Sequence, residues 1–211
     1  MNQDVLLFAF ANNHAKPLPT LQKEYEELNQ ILEDRNYNSN FHTTMFPFAS
    51  VDDFTENIIK YRKKLFLFHF AGHAGPQKLE YLDINAHVRG ISYLLSQCPN
   101  LKLVFLNGCS TIGHVNTLLE SGIPVIIATS ALVEDELATK FSIKFYKALE
   151  NGDTINEAYE LAKGVVLQEE ERSFKRGIIL SSDEKNNDPI WGIFFKNEKE
   201  LQKDLSKIKT I

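Results

Sequence analysis

Six short apolar runs alternate with segments of helical periodicity along this chain of 211 residues. The runs at 5–10 (VLLFAF) and 65–70 (LFLFHF) are continuous, which is typical of strands buried on both faces. The other runs lie at 41–46, 101–106, 123–129 and 190–195. Alternation of strands and helices favours a largely parallel sheet covered on both faces, because right-handed crossovers place the helices there. The sequence therefore predicts an α/β fold, a three-layer αβα sandwich with a mostly parallel sheet of about six strands.

Helix starts are marked by two capping-box patterns, at 50–53 (SVDD) and at 154–157 (TINE). Helical spacing also predicts helices from Leu21, around 87–97, and through 137–149. The polar stretch 169–188 is predicted to be a loop, and the charged residues 197–209 a surface helix or linker. We expect one domain over 1–196 with a charged tail at 197–211.

Charge and hydropathy exclude several classes of partner. The 23 basic residues are scattered among 28 acidic ones, giving a net charge of -5, so no basic stripe predicts binding to nucleic acid or to a membrane surface. No apolar run approaches the ~20 residues that span a bilayer, and the first residues lack the basic start of a signal peptide. We expect a cytoplasmic protein.

A histidine and a cysteine follow two consecutive predicted strands. His73 lies in 71–75 (AGHAG), directly after the third strand, and Cys109 lies in 107–111 (NGCST), directly after the fourth. Sites in such sheets form beyond the carboxyl ends of the strands. If the two strands are neighbours, about 5 Å apart, the two side chains meet in one cleft as a thiol–imidazole dyad.

This pair predicts thiol acyl transfer. A neighbouring imidazole and the N-terminus of a helix both favour the thiolate, and Ser110 and Thr111 are positioned to cap the helix that follows Cys109. Gly72 and Gly108 permit close backbone approach. The peptide N–H groups of Ala74 and Cys109 can then hold the oxyanion of a tetrahedral intermediate, each contributing roughly 3 kcal/mol.

Structural readings of the same residues stay open. Cys98 lies near the end of an amphipathic helix and is interpreted as a small core residue, and His73 and Cys109 can likewise be packing residues. His69, His73 and Cys109 can be counted as three zinc ligands, but this spacing suits a helix rather than a strand, and His69 is interpreted as a hydrogen-bonded strand residue beside the site. A nucleotide-binding loop would need a glycine-rich or P-loop motif that the sequence lacks. We therefore expect no metal and no cofactor.

Several segments together resemble the CHAT domain family of caspase- and separase-like cysteine proteases. They are 68–74 (FHFAGHA), 103–111 (LVFLNGCST), 123–130 (IPVIIATS), the two-helix segment and the terminal WGIFF. The resemblance covers nearly the whole chain and implies a caspase-like fold.

By position, the family's catalytic histidine matches His73, its nucleophile matches Cys109, and its oxyanion N–H matches the backbone of Ala74. The resemblance implies an endopeptidase that acts on a protein or peptide substrate, is regulated by a sensor protein or domain, and serves prokaryotic defence or cell death. Many members have glycine where Ala74 stands and Asn-Ala where Asn107-Gly108 stands. These departures leave open an alternative, a catalytically silent caspase-like interaction module.

Acidic residues near the predicted cleft are candidates for substrate binding. Glu134 and Asp135 follow the fifth strand, and Asp83 lies beyond the histidine loop, so together they predict a pocket for a basic side chain. The alternative is that carboxylates in the first turn of a helix only complement its dipole. Caspase-type specificity for aspartate would need an arginine in the pocket, and none of the five arginines has an evident place beside the dyad: Arg35, Arg62, Arg89, Arg172 and Arg176.

Overall fold

The computed structural model describes residues 3–13, 17–38, 41–175 and 190–202. Its strands are β1 (Asp4–Ala11), β2 (Phe41–Phe46), β3 (Leu65–Gly72), β4 (Ala74–Gly75), β5 (Lys78–Glu80), β6 (Asn85–His87), β7 (Leu103–Asn107), β8 (Val125–Thr129) and β9 (Trp191–Phe195). Six of them form one sheet in the order β2-β1-β3-β7-β8-β9. The first five pair in parallel, and β9 pairs antiparallel with β8.

Helices cover both faces of this sheet, which confirms the predicted α/β fold. They are α1 (Leu21–Asn38), α2 (Val51–Tyr61), α3 (Val88–Ser96), α4 (Val115–Glu120), α5 (Asp135–Glu150) and α6 (Ile155–Lys175). Alternate residues of β1 enter opposite cores: Leu6 and Phe8 pack with residues of α1, α5 and α6, whereas Val5 and Leu7 pack with residues of α2, α3 and α4. Each fully buried side chain of this kind stabilises the fold by about 1.5–3 kcal/mol.

Both predicted capping boxes are formed. The N–H of Asp53 donates to Ser50 Oγ at 3.0 Å, and the N–H of Ser50 donates to the Asp53 carboxylate at 2.9 Å. Thr154 and Glu157 make the same reciprocal pair at the start of α6, at 3.3 and 2.9 Å. These bonds satisfy amide groups that a helix start leaves unpaired, so the boundaries of α2 and α6 follow from local sequence.

A second, three-stranded sheet was not predicted. Strands β4, β5 and β6 pair antiparallel in that order directly after His73. Strands of two or three residues are too short to show a hydrophobic period, which explains why the sequence pattern did not reveal them. This small sheet leads the chain from the histidine turn to α3.

The end of the chain differs in part from the prediction. Helix α6 continues to Lys175, so the loop predicted from residue 169 is wrong over 169–175. This segment contains glutamate and arginine, which have high intrinsic helix propensity. The rest of that predicted loop, 176–188, lies outside the described residues. A 3-10 turn over Glu198–Gln202 follows β9, and the described ranges contain no helix long and apolar enough to cross a membrane.

Candidate active site

A cleft lies at the carboxyl edge of the large sheet, beyond β3 and β7. These strands are neighbours, as predicted, and their register pairs Ala71 with Asn107. His73 and Cys109 each follow this pair by two residues, so they lie equally far along the chain from the last paired position of the two strands. Both side chains line the cleft, which has a volume of about 80 Å³. The other residues of the lining are Leu18, Thr20, Leu21, Glu24, Gly72, Asn107, Gly108, Val133, Asp135, Ala138 and Thr139.

The turns that follow β3 and β7 are in direct contact. A Cβ atom on residue 108 would lie 2.6 Å from the carbonyl oxygen of Gly72 and 2.9 Å from Cβ of Ala74. Side-chain carbons do not approach this closely, so glycine is required at Gly108. This close packing fixes the histidine turn against the cysteine turn.

Buried hydroxyl groups hold the cysteine turn from behind. The hydroxyl of Thr129, the last residue of β8, donates to the carbonyl oxygen of Gly108. The Thr111 hydroxyl donates to Leu106 O at 3.0 Å, and the N–H of Thr129 donates to Thr111 Oγ1 at 2.9 Å. Because these groups are buried, each unmade bond would cost about 1–3 kcal/mol. The chain around Cys109 is therefore held from both sides.

Ser110 has left-handed backbone angles, φ 53° and ψ 36°. A residue with a side chain adopts them at a cost of order 1–3 kcal/mol, and such strain clusters at functional sites. The prediction that Ser110 and Thr111 cap the next helix is wrong, since within the described part of the chain Ser110 makes no side-chain capping bond and Thr111 bonds back to β7. A 3-10 turn over Thr111–His114 precedes α4 instead.

Cys109 is half-buried, and its thiol donates to the carbonyl oxygen of Val133 with a sulfur–oxygen distance of 3.9 Å. Two residues further on, Asp135 begins α5 and also lines the cleft. Burial raises the pKa of Asp135, the charge of His73 opposes that rise, and the carboxylate of Glu24 adds to it. The cleft therefore brings His73, Cys109 and two carboxylates together.

A buried polar cluster lies against this cleft. Glu24 on α1 is only 1% exposed, and its Oε1 accepts a hydrogen bond of 3.0 Å from Asn107 Nδ2. His69 Nε2 lies 3.4 Å from the same oxygen, without the geometry of a hydrogen bond, while Nδ1 of the ring pairs with the Tyr146 hydroxyl at 3.0 Å. The interpretation of His69 as a hydrogen-bonded strand residue is confirmed. Its ring contacts Glu24 and Tyr146 and does not line the cleft.

Glu24 was missed by the sequence analysis. The signal was its spacing, three residues after Leu21 and four before Leu28, which places it on the buried face of α1. A charged side chain is usually exposed, so residue type alone does not indicate a buried position. For the zinc alternative, the described residues contain no group of three His, Cys, Asp or Glu side chains that could hold a metal ion.

The three predicted substrate-binding carboxylates lie in different places. Asp135 lines the cleft. Glu134 is exposed and is not among the residues of its lining. Asp83 accepts a hydrogen bond of 2.9 Å from the N–H of Val51 at the start of α2, and it also lies outside the lining. Substrate binding by these residues stays a prediction, as does oxyanion binding by Ala74 N–H.

His114 connects the two turns from the side away from Glu24. Its Nε2–H donates to the carbonyl oxygen of Gly75 at 2.7 Å, joining the 3-10 turn after Cys109 to the loop after His73. Burial lowers the pKa of His114, so the neutral ring that donates this bond is the form present near neutral pH. This contact was also missed, because the sequence shows no pairing between a histidine and a loop 39 residues away.

Similar folds occur in cysteine proteases. Gingipain R, an arginine-specific cysteine proteinase of Porphyromonas gingivalis, is 12% identical and superimposes with a TM-score of 0.63 over 96% of this chain and 48% of its own. Pro-sf-caspase-1 is 13% identical and superimposes with a TM-score of 0.59 over 92% of this chain and 91% of its own. The chain in the Saccharomyces cerevisiae separase–securin complex is 18% identical, with a TM-score of 0.52 over 78% of this chain and 11% of its own. At identities this low, the superpositions show a shared fold alone.

This chain spans about half of the gingipain chain and a small part of separase. No curated protein sequence in the comparison matches it. The sequence profile of the CHAT domain matches residues 2–195. That range includes both turns of the cleft and all strands of the sheet, and it agrees with the resemblance that the strand-end motifs carry. The chain belongs to the CHAT domain family.

Proposed function

We propose that this protein is a cysteine endopeptidase with Cys109 as the nucleophile and His73 as its acid–base partner. The observation that carries the proposal is that both side chains line one cleft, each two residues beyond a matched pair on neighbouring parallel strands. The shared fold with cysteine proteases supports peptide hydrolysis as the reaction. The strained Ser110 beside the thiol is consistent with a site rather than a packing position.

In the proposed mechanism, His73 transfers a proton in each of two steps, acylation and deacylation. His73 takes the thiol proton, and the Cys109 sulfur attacks the peptide carbonyl carbon to give a tetrahedral oxyanion. The N–H groups of Ala74 and Cys109 stabilise that oxyanion. The intermediate collapses as the imidazolium protonates the leaving amine, leaving a thioester. Water, deprotonated by His73, then attacks the thioester, releasing the acid and restoring the thiol.

The biological setting belongs to the same proposal. Members of the family that this chain resembles are regulated prokaryotic proteases of defence or cell death, so we propose a cytoplasmic enzyme controlled by a sensor protein or domain. The solved separase is bound to securin, which shows that a related fold can be held by a protein partner. An activity assay must therefore include a readout that does not require an activator.

Alkylation of the two thiols provides that readout. Iodoacetamide labelling is followed by mass spectrometry at neutral pH in the wild type and in His73→Ala, with Cys98 as the internal control. The expected result is fast labelling of Cys109 that slows in His73→Ala, while Cys98 stays slow in both. Labelling of Cys109 at the rate of an ordinary thiol, unchanged by the substitution, would refute the dyad and favour a silent interaction module.

A further inference from the structure

We propose that Glu24, with Asp135, binds the positively charged side chain of a substrate lysine or arginine next to the bond that Cys109 attacks. This proposal rests on the proposed peptidase function and adds its substrate class. The two carboxylates come from different helices, α1 and α5, and both line the cleft that holds the thiol. Nothing in the sequence pattern marked Glu24 for this role.

Glu24 is an unusual residue for this position. A carboxylate that is 1% exposed has lost nearly all of its water, and such a group is retained only when partners compensate for it. Its contacts within the described residues go to Oε1, from Asn107 Nδ2 at 3.0 Å and His69 Nε2 at 3.4 Å. The Asn107 amide donates a hydrogen bond to this oxygen and the His69 ring lies beside it, and the Glu24 side chain still forms part of the cleft wall.

The walls of the cleft suit the stem of a basic side chain. Leu18, Leu21, Val133 and Ala138 supply apolar surface to the lining that also contains the two carboxylates. Lysine and arginine bury their methylene stems against such surface and keep the charged end among polar groups. The Val133 carbonyl accepts the bond from the thiol, so this wall begins beside the reacting atom. A side chain that enters here belongs to the residue whose carbonyl is attacked.

The charge of the cleft favours a cation. Among the residues that the structure describes, the lining of the cleft includes two carboxylates and no lysine or arginine, and His73 is the lining residue that can carry positive charge. Burial raises the pKa of Asp135 most, the charge of His73 lowers it, and repulsion by the Glu24 carboxylate adds to the rise. A cationic side chain between the carboxylates would relieve both effects. A carboxylate or apolar side chain would relieve neither.

The competing role for Glu24 is structural, as the acceptor that fixes Asn107 and so the cysteine turn. Glutamine at position 24 keeps the shape and the acceptor oxygen for Asn107 but removes the charge. It therefore separates the two roles, because loss of a structural acceptor affects every substrate and loss of charge affects cationic ones. Glu26→Gln on the exposed face of α1 and Glu136→Gln in α5 are matched controls.

The experiment compares peptidyl electrophiles that differ in one side chain: arginine against citrulline, and lysine against norleucine. The rate of Cys109 modification is measured for the wild type, Glu24→Gln, Asp135→Asn and both controls. We expect the wild type to prefer the cationic member by about 100-fold, and Glu24→Gln to reduce this ratio at least tenfold. The two pairs show whether guanidinium or ammonium fits better.

The outcomes separate the two proposals. In one outcome, Cys109 reacts with iodoacetamide in a His73-dependent way but shows no preference for the cationic electrophiles. That result would refute the cation site and leave the proposed peptidase function standing. The cation site would also be refuted if Glu24→Gln slowed the modification of Cys109 equally for the cationic and the neutral member of a pair. If the dyad itself fails, protection of Cys109 from alkylation at pH 9 by butylguanidine, compared with neutral butylurea, decides the cation site alone. Protection is expected to weaken in Glu24→Gln, and equal effects of the two compounds would refute the site.

Discussion

The two cysteines occupy opposite environments in one fold. Cys98 follows α3, is 5% exposed, packs in the core beneath α2, α3 and α4, and donates its thiol to Leu94 O with a sulfur–oxygen distance of 3.7 Å. Cys109 lies on a strained turn in a cleft beside His73. The side chains are the same, so the position relative to the carboxyl edge of the sheet is what distinguishes the two thiols.

The electrostatic surroundings of the two thiols also differ. Burial raises the pKa of Cys98 to about 11, and the positive charge of Arg62 opposes this only in part. A thiol in such surroundings stays protonated at neutral pH and behaves as a small apolar residue. Cys109 instead shares its cleft with a histidine and two carboxylates, and its thiol donates a hydrogen bond to the Val133 carbonyl.

Removal of each thiol in turn tests the comparison most strongly. Cys109→Ala is expected to lower peptidase activity by about 10⁴-fold or more, because no other group can form the thioester. Cys98→Ala is expected to leave activity within about twofold, since the residue lies outside the cleft. Both are measured with a peptide substrate and with an activity probe. Retained cleavage in purified Cys109→Ala would show that the nucleophile is wrong.

The pH dependence of alkylation separates the thiols further. A pKa near 11 leaves about one Cys98 thiol in 10⁴ ionised at pH 7, so its labelling rate should rise roughly tenfold per pH unit between pH 7 and 10. Labelling of Cys109 at pH 7 is expected to be faster than that of Cys98, because its thiol borders the cleft beside His73. Both rates come from one mass-spectrometric time course. Equal labelling rates for the two sites at pH 7 would remove the distinction between them.

Gly108→Ala tests the packing that brings the two turns together. The added carbon meets Gly72 O and Ala74 Cβ, so the substitution is expected to destabilise the fold by about 1–3 kcal/mol and to lower activity at least tenfold. Gly90→Ala in α3 is the control, because its added carbon meets nothing within 4 Å and should stabilise the helix by about 0.5–1 kcal/mol. Urea unfolding and peptide hydrolysis measure the two effects. Full activity in Gly108→Ala would show that the turns need not touch.

The sequence predicted those parts that depend on neighbouring residues. Apolar runs and capping boxes predicted the six strands of the large sheet and the starts of α2 and α6, because these signals are local. The strand-end rule placed His73 and Cys109 in one cleft, because parallel strands bring their carboxyl ends together. The strands of the small sheet were missed because two or three residues show no period.

The supporting residues of the site were harder to predict. The bond between Glu24 and Asn107 joins residues 83 positions apart, and no spacing rule reports such a contact. The expected capping by Ser110 failed because the tertiary bonds of Thr111 and Thr129 hold the turn in another conformation. Local patterns therefore located His73 and Cys109 in one cleft, and long-range packing determines which residues surround them.

The smallest expected effect concerns stability. Cys98→Ala removes a buried sulfur from the core and should lower the free energy of unfolding by about 1 kcal/mol, a decrease in Tm of roughly 2–4 °C for a chain of this size. Cys109→Ala should change it by less than about 0.5 kcal/mol, because the side chain is half-exposed and borders a cleft. Thermal unfolding of the two variants, matched in residue change, gives both values. If Cys109→Ala proved the more destabilising of the two, Cys109 would be acting as a packing residue, and the contrast between a structural and a reactive thiol would not hold.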